Sequence, residues 1–159
     1  MPRMTTETRK QAVKRLEDAC FRFLARREYS HKELGDRLAR AGYDRVLVQE
    51  VLEDLKAKGL QSDRRYAQQL SDRRVHQGYG PLRLAAELRE RGVDSREVVW
   101  PSPEDCEAAL RLIYEKRFGV LRPEKPEEWA ARERFLLRRG FSRADICRYM
   151  KRLPKSDDP

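Results

Sequence analysis

The sequence predicts an all-α protein, an elongated tandem array of three three-helix repeats. One phrase occurs three times. A leucine stands four residues before a glycine, an apolar residue follows, and then comes a residue that starts helices. It reads Leu38–Gly42–Tyr43–Asp44, Leu88–Gly92–Val93–Asp94 and Leu136–Gly140–Phe141–Ser142, with the glycines 50 and 48 residues apart. Glycine in the left-handed conformation ends one helix, and the Asp or Ser side chain caps the next. Apolar residues recur at helical spacing almost throughout, and no segment alternates as a strand does. Recurrence at such a period is the mark of a helical repeat array, which builds a binding surface rather than an enclosed catalytic pocket.

The first repeat occupies residues 1–62. A helix over about 7–28 carries Val13, Leu16, Cys20, Phe23 and Leu24 on one stripe. Ser30 and Glu33 have capping-box spacing for a short helix through Leu34 and Leu38. Gly42 stops it. Asp44 starts the next helix, with Leu47, Val48, Val51, Leu52 and Leu55 inward, and Gly59 ends it.

Residues 63–101 form the second repeat. Asp63 opens a helix through Tyr66, Ala67 and Leu70 to Arg74 and Val75. Gly78–Tyr79–Gly80–Pro81 breaks it, and Pro81 suits the first position of the next helix, through Leu84 and Leu88. Asp94 with Glu97 again has capping-box spacing, for a short helix that Trp100–Pro101 terminates.

The third repeat and a tail that should fray fill residues 102–159. Ser102–Pro103–Glu104–Asp105 combines a cap, a first-turn proline and two acids at the positive dipole end. Its helix runs through Ala109, Leu112, Ile113 and Lys116. A linker over 119–128 follows, containing the acidic pair Glu127–Glu128. Trp129–Arg139 is the next helix, and Ser142 with Asp145 caps the last, through Ile146, Met150 and Leu153.

Composition narrows the function. Of 159 residues, 39% are hydrophobic and 40% charged, so several thin cores with long solvated faces are expected. No run crosses a membrane and no signal peptide is visible, which makes the cytoplasm the expected location. Cys20, Cys106 and Cys147 are far apart and lack Cys-x-x-Cys spacing, and His31 and His76 are isolated, so neither a disulfide framework nor a metal site is expected. No phosphate loop or nucleophile turn occurs, and no cofactor or catalytic residue is assigned.

The net charge is +9 and unevenly spread. Residues 64–93 carry 7 basic and 3 acidic side chains, residues 129–153 carry 8 and 2, and residues 19–63 are nearly balanced at 9 and 8. The surplus points to an acidic partner, either nucleic acid or an acidic protein groove. The candidate contacts are Arg73, Arg74, His76, Tyr79, Arg83, Arg89 and Arg91 in the second repeat. Lys116, Arg117, Arg132, Arg134, Arg138, Arg139 and Arg143 are those of the third. Arginine suits phosphate and carboxylate alike, through its two-pronged donor edge. For Phe141 a helix-end apolar contact is the better reading, and His76 reads as a helix-end residue.

Several pieces of the chain, in order, resemble the RecX regulators of bacterial RecA recombinase. The most specific is Gly78-Tyr-Gly-Pro-Leu-Arg-Leu-Ala-Ala-Glu-Leu-Arg-Glu-Arg-Gly92. Others are Ser30-His-Lys-Glu-Leu34, Gly59-Leu-Gln-Ser-Asp63, Lys116-Arg-Phe-Gly119 and Arg134-Phe-Leu-Leu-Arg-Arg-Gly-Phe141. The resemblance covers roughly residues 15–153. Gln61–Ser62 before Asp63 departs from the usual pattern at one local contact. The resemblance implies a partner, the RecA–single-stranded DNA filament, with the protein lying as a monomer in the filament groove. Filament growth, ATP hydrolysis, strand exchange and co-protease activity would all be damped. The alternative is a direct nucleic-acid-binding module, since consecutive short helices mimic helix-turn-helix units. The helices beginning at Ser30, Pro81 and Ser142 share no set of base-reading side chains at their starts.

Overall fold

A computed structural model of the chain describes residues 6–156. Among them are eight α-helices and no strand. They are α1 (Thr6–Leu24), α2 (His31–Arg40), α3 (Arg45–Ala57), α4 (Asp63–His76), α5 (Pro81–Glu90), α6 (Pro103–Phe118), α7 (Pro126–Arg138) and α8 (Arg143–Arg152). A single 3-10 turn, Ser95–Glu97, stands where the second repeat would have its third helix. The three-helix grammar therefore holds, with its shortest member reduced to one turn.

Local chemistry sets most of the boundaries. Ser30, Asp44, Ser102 and Ser142 each lie in extended backbone and accept a hydrogen bond from the N–H three residues on. Gly42, Gly92 and Gly140 take φ values of 95°, 71° and 95°. The left-handed turn costs glycine nothing, and it lets the next N–H close on a carbonyl five residues back, as Phe141 does on Leu136 at 3.2 Å.

Four boundaries differ from the sequence reading. The first helix ends at Leu24 rather than near residue 28, because the chain turns to bury Tyr29 and to bring Arg27 onto its ring. Asp63 is not the cap of α4. Ser62 accepts the Arg65 N–H at 3.2 Å, and the Asp63 carboxylate accepts the His31 N–H at 2.8 Å and the Gln61 amide at 3.0 Å. Gln61–Ser62, the departure from the family pattern, thus supplies the cap and a buried amide that also donates to the Tyr29 carbonyl. The helix expected at Trp129 begins at Pro126, which places Glu127 and Glu128 in its first turn and not in a linker. The tail expected to fray from Pro154 holds its first carbonyl against the Arg122 N–H at 2.9 Å, while residues 157–159 lie outside the described part.

The two remaining capping boxes are half-formed. Glu33 does not return a bond to Ser30; its carboxylate is taken by arginines. Glu97 likewise gives way to Asp94, whose carboxylate receives both the backbone and the guanidinium of Arg96.

Packing divides the chain into two compact units, one of residues 1–67 and 89–98, the other of residues 68–88 and 99–159. In the first, Leu16, Cys20, Leu34, Leu38, Val51, Leu52 and Leu55 form the core of α1–α3. In the second, Leu110, Ile113, Tyr114, Leu136, Phe141, Ile146 and Met150 form the core of α6–α8. Phe141 is thus the helix-end core residue it was read to be.

One junction occurs in both units. In the first, the start of α2 meets the Gly92 turn: Ser30 Oγ donates to the Arg91 carbonyl at 2.8 Å, and the Lys32 stem covers Gly92. In the second, the start of α5 meets the Gly140 turn: Gly80 N–H donates to the Arg139 carbonyl at 2.8 Å, Leu82 N–H donates to the Gly140 carbonyl at 3.0 Å, and Arg83 covers Gly140. A side chain on Gly80 would stand 2.7 Å from the Phe141 nitrogen, so only glycine allows this approach. The Gly78-Tyr-Gly-Pro81 motif is first of all a packing device.

A candidate binding surface around Tyr79

In the second unit the junction gathers four of the sequence-predicted contacts. Tyr79 leaves the end of α4, half-buried, and arginines from three helices or their ends converge on its ring. The guanidinium carbons lie 3.7 Å from the ring centre for Arg139, 4.4 Å for Arg83 and 5.8 Å for Arg74. Cation–π attraction holds each in place.

The three are not equivalent. Arg74 is neutralised by Glu87 through two hydrogen bonds of 2.8 and 2.5 Å. Arg139 donates to the carbonyls of Gly78 at 3.2 Å and Gln77 at 2.5 Å, closing the end of α4 as a positive group should. Arg83 has the ring alone. Next to two of these along the chain, Arg73 and Arg138 are exposed and carry no ion pair with a described residue.

The other candidates scatter. His76 ends α4, its Nδ1 2.7 Å from the Asp72 carbonyl, in keeping with a helix-end role. Arg143 pairs with Glu133 at 3.1 Å. Arg117 lies over Phe135, and Lys116 and Arg134 are exposed. Arg132 is built into the core edge, donating to the Tyr114 hydroxyl at 2.6 Å and the Leu121 carbonyl at 2.9 Å. Burial pushes the Tyr114 phenol up, opposed by Arg132.

Arg89 and Arg91 belong to the first unit. Arg91 donates to Glu33 at 3.3 Å, and Arg27 to the same carboxylate at 2.7 Å; Arg27 also rests on Tyr29, 3.7 Å from the ring centre. Glu33 is almost wholly buried, so this cluster is structural first. Lys32, Arg37 and Arg40 line a cleft beside Arg91, and the sequence reading missed them. Glu33, Asp36 and Glu90 line the same cleft, so the fold brings these cations to Arg91 together with acids.

Among the described residues no group of three or more His, Cys, Asp or Glu side chains is placed to hold a metal ion. No described helix is long and apolar enough to cross a membrane.

Models of the first, second and third three-helix domains of RecX match residues 18–55, 62–98 and 104–150. The chain belongs to the RecX family. It is 40% identical over 150 residues to the regulatory protein RecX of Halorhodospira halophila, covering 92% of each chain. It is 44% identical over 122 residues to that of Acidithiobacillus ferrooxidans, covering 76% of this chain and 79% of that one. The crystal structure of RecX from Lactobacillus salivarius superposes with a TM-score of 0.74 at 17% identity, over 89% of this chain and 96% of that one, and so shares the fold. RecX proteins are a family of regulatory proteins, and the Tyr79 junction lies inside the second and third RecX domains of this chain.

Proposed function

We propose that this chain is a negative modulator of RecA recombinase. It binds the RecA–single-stranded DNA filament in its groove, blocks filament growth and damps ATPase, strand exchange and co-protease activity, within recombination, repair and the SOS response. It acts in the cytoplasm as a monomer and catalyses nothing itself. Residues 1–62, 63–101 and 102–159 serve as its three repeats.

Family membership supports the partner. The observation that carries the mechanism is the set of exposed cations Arg73, Arg83 and Arg138, which no described carboxylate neutralises: Arg83 lies on the Tyr79 ring, and Arg73 and Arg138 are next in sequence to Arg74 and Arg139, which the ring also holds. Such groups offer an acidic filament surface ready partners at little desolvation cost. Individually they are weak and screened by salt, so several act together.

The test is the single-stranded-DNA-dependent ATPase of a RecA-type recombinase. Added protein suppresses it, has no ATPase alone, and suppresses less as salt rises. A recombinase indifferent to the protein at every concentration refutes the reading.

A further inference from the structure

We propose that the guanidinium of Arg83, aided by Arg139, binds a phosphodiester group of single-stranded nucleic acid, with Tyr79 as the platform that fixes both. The inference deepens the reading above and rests on it for the partner, though its chemistry is tested separately.

Three guanidiniums share one ring, and among the described residues the carboxylate of Glu87 pairs with Arg74, while Arg83 and Arg139 carry no ion pair. The Arg139 carbonyl partners use its Nε and Nη2, leaving Nη1. Arg83 donates to no described acceptor. Two uncompensated positive charges are therefore held at one place in the free protein. Positive charge left unanswered raises the free state, and an anion that reaches these heads relieves it. Ordering a long arginine side chain ordinarily costs binding free energy. Here the ring has already restricted both heads, so less of that cost falls on binding.

The number of cations chooses the anion. Arg73 and Arg138, next along the chain to Arg74 and Arg139, are exposed and carry no ion pair with a described residue. One carboxylate neutralises one charge, whereas a nucleic-acid strand presents one phosphate per nucleotide and can satisfy all of them in turn. Arginines lie against Tyr79, so the ring serves them rather than stacking a base, and binding should be tolerant of base sequence.

The experiment uses the full-length protein and a fluorescent oligothymidylate, read by anisotropy across a salt series. Arg83→Gln keeps the β-carbon that covers Gly140 and removes the charge. It should weaken binding several-fold and flatten the slope of log affinity against log salt by about 0.7, the value for one single-strand phosphate contact. Tyr79→Leu, which keeps every charge and loses the platform, should weaken binding too. Arg148→Gln, whose parent side chain is paired with Asp145, is the control and should change little. Melting curves establish that each variant is folded. An Arg83→Gln variant that binds the oligonucleotide with the parent's affinity and slope overturns the proposal, as does a parent that binds none. A poly-glutamate peptide that displaces the oligonucleotide at equal charge also overturns it, in favour of an acidic protein partner. Filament ATPase is measured beside these. Suppression lost in Arg83→Gln with oligonucleotide binding intact rejects the phosphate site and keeps the modulator; oligonucleotide binding without suppression in the parent does the reverse.

Discussion

A β-carbon on Gly140 would stand 2.5 Å from the backbone nitrogen of Arg83, with nowhere for either to move. The same turn glycine at position 42 has nothing within 4 Å of that point. Equal backbone geometry therefore conceals unequal packing.

Replacement by alanine should separate the two effects. Gly42→Ala bears only the left-handed backbone cost, about 1 kcal/mol. Gly140→Ala adds overpacking against helix α5 and should lose about 3 kcal/mol in total. Gly92, facing the flexible Lys32 stem, should fall between. Thermal melting by circular dichroism gives the order, and equal midpoints for Gly42→Ala and Gly140→Ala would refute it.

Glu33 should matter more for stability than its neighbours on the surface. It is 7% exposed and answers Arg27 and Arg91, with Arg37 at 3.9 Å. Glu33→Ala removes the buried carboxylate these partly exposed guanidiniums share and should cost about 1 kcal/mol or more. Arg9→Ala, which breaks an exposed pair with Glu50, should cost under about 0.5 kcal/mol. Urea midpoints of the two variants provide the comparison.

Cysteine 20 should make the protein lose stability in alkali. Burial pushes its thiol up from 9.0 to about 11. The folded state then holds the proton where the unfolded state releases it, so stability falls as pH rises. The contribution is complete below pH 9, declines from there to about pH 11, and is gone above. Cys20→Ala should flatten the pH dependence over that window relative to the parent, and a chemical-denaturation series across it measures the difference. The thiol reagent labelling pattern should agree: Cys20 protected in the folded protein, half-buried Cys147 accessible.

Charge reversal must avoid the arginines that hold the fold. Arg73→Glu, Arg83→Glu and Arg138→Glu together should abolish most suppression of the recombinase ATPase with little change in melting temperature. Arg74→Glu would set a second carboxylate against Glu87, and Arg139→Glu would set one against the carbonyls of Gln77 and Gly78. Both should lower the melting temperature as well. A triple variant that suppresses as the parent does would move the binding surface elsewhere.

What the sequence discloses is what neighbours along the chain decide. The caps at Ser30, Asp44, Ser102 and Ser142 and the stops at Gly42, Gly92 and Gly140 are contests within a few residues, and their side chains announce the outcome. Glu33 had the spacing of a capping partner, but its carboxylate went to Arg27 at 2.7 Å and to Arg91, far along the chain, at 3.3 Å. The candidate list contained Arg74, Tyr79, Arg83 and Arg139, which the fold gathers at one ring, though nothing local could divide them into paired, cap-closing and unanswered groups. Lys32, Arg37 and Arg40 were missed for the complementary reason: their own stretch of sequence is balanced, and only folding brings them to Arg91, in a cleft they share with Glu33, Asp36 and Glu90.

The division of the second repeat has a consequence for synthesis. Residues 63–67 and 89–98 complete the unit begun by the first repeat, and residues 68–88 complete the unit finished by the third. Neither body is a continuous stretch of chain. A ribosome releasing the protein in order cannot let the first body close until residue 98 has emerged, and by then it has made a piece, residues 68–88, whose partners do not yet exist. Emergence of the chain and closure of its cores therefore run on different clocks. A messenger truncated after the first repeat leaves the first body open, and one truncated after the second leaves residues 68–88 without the body they belong to.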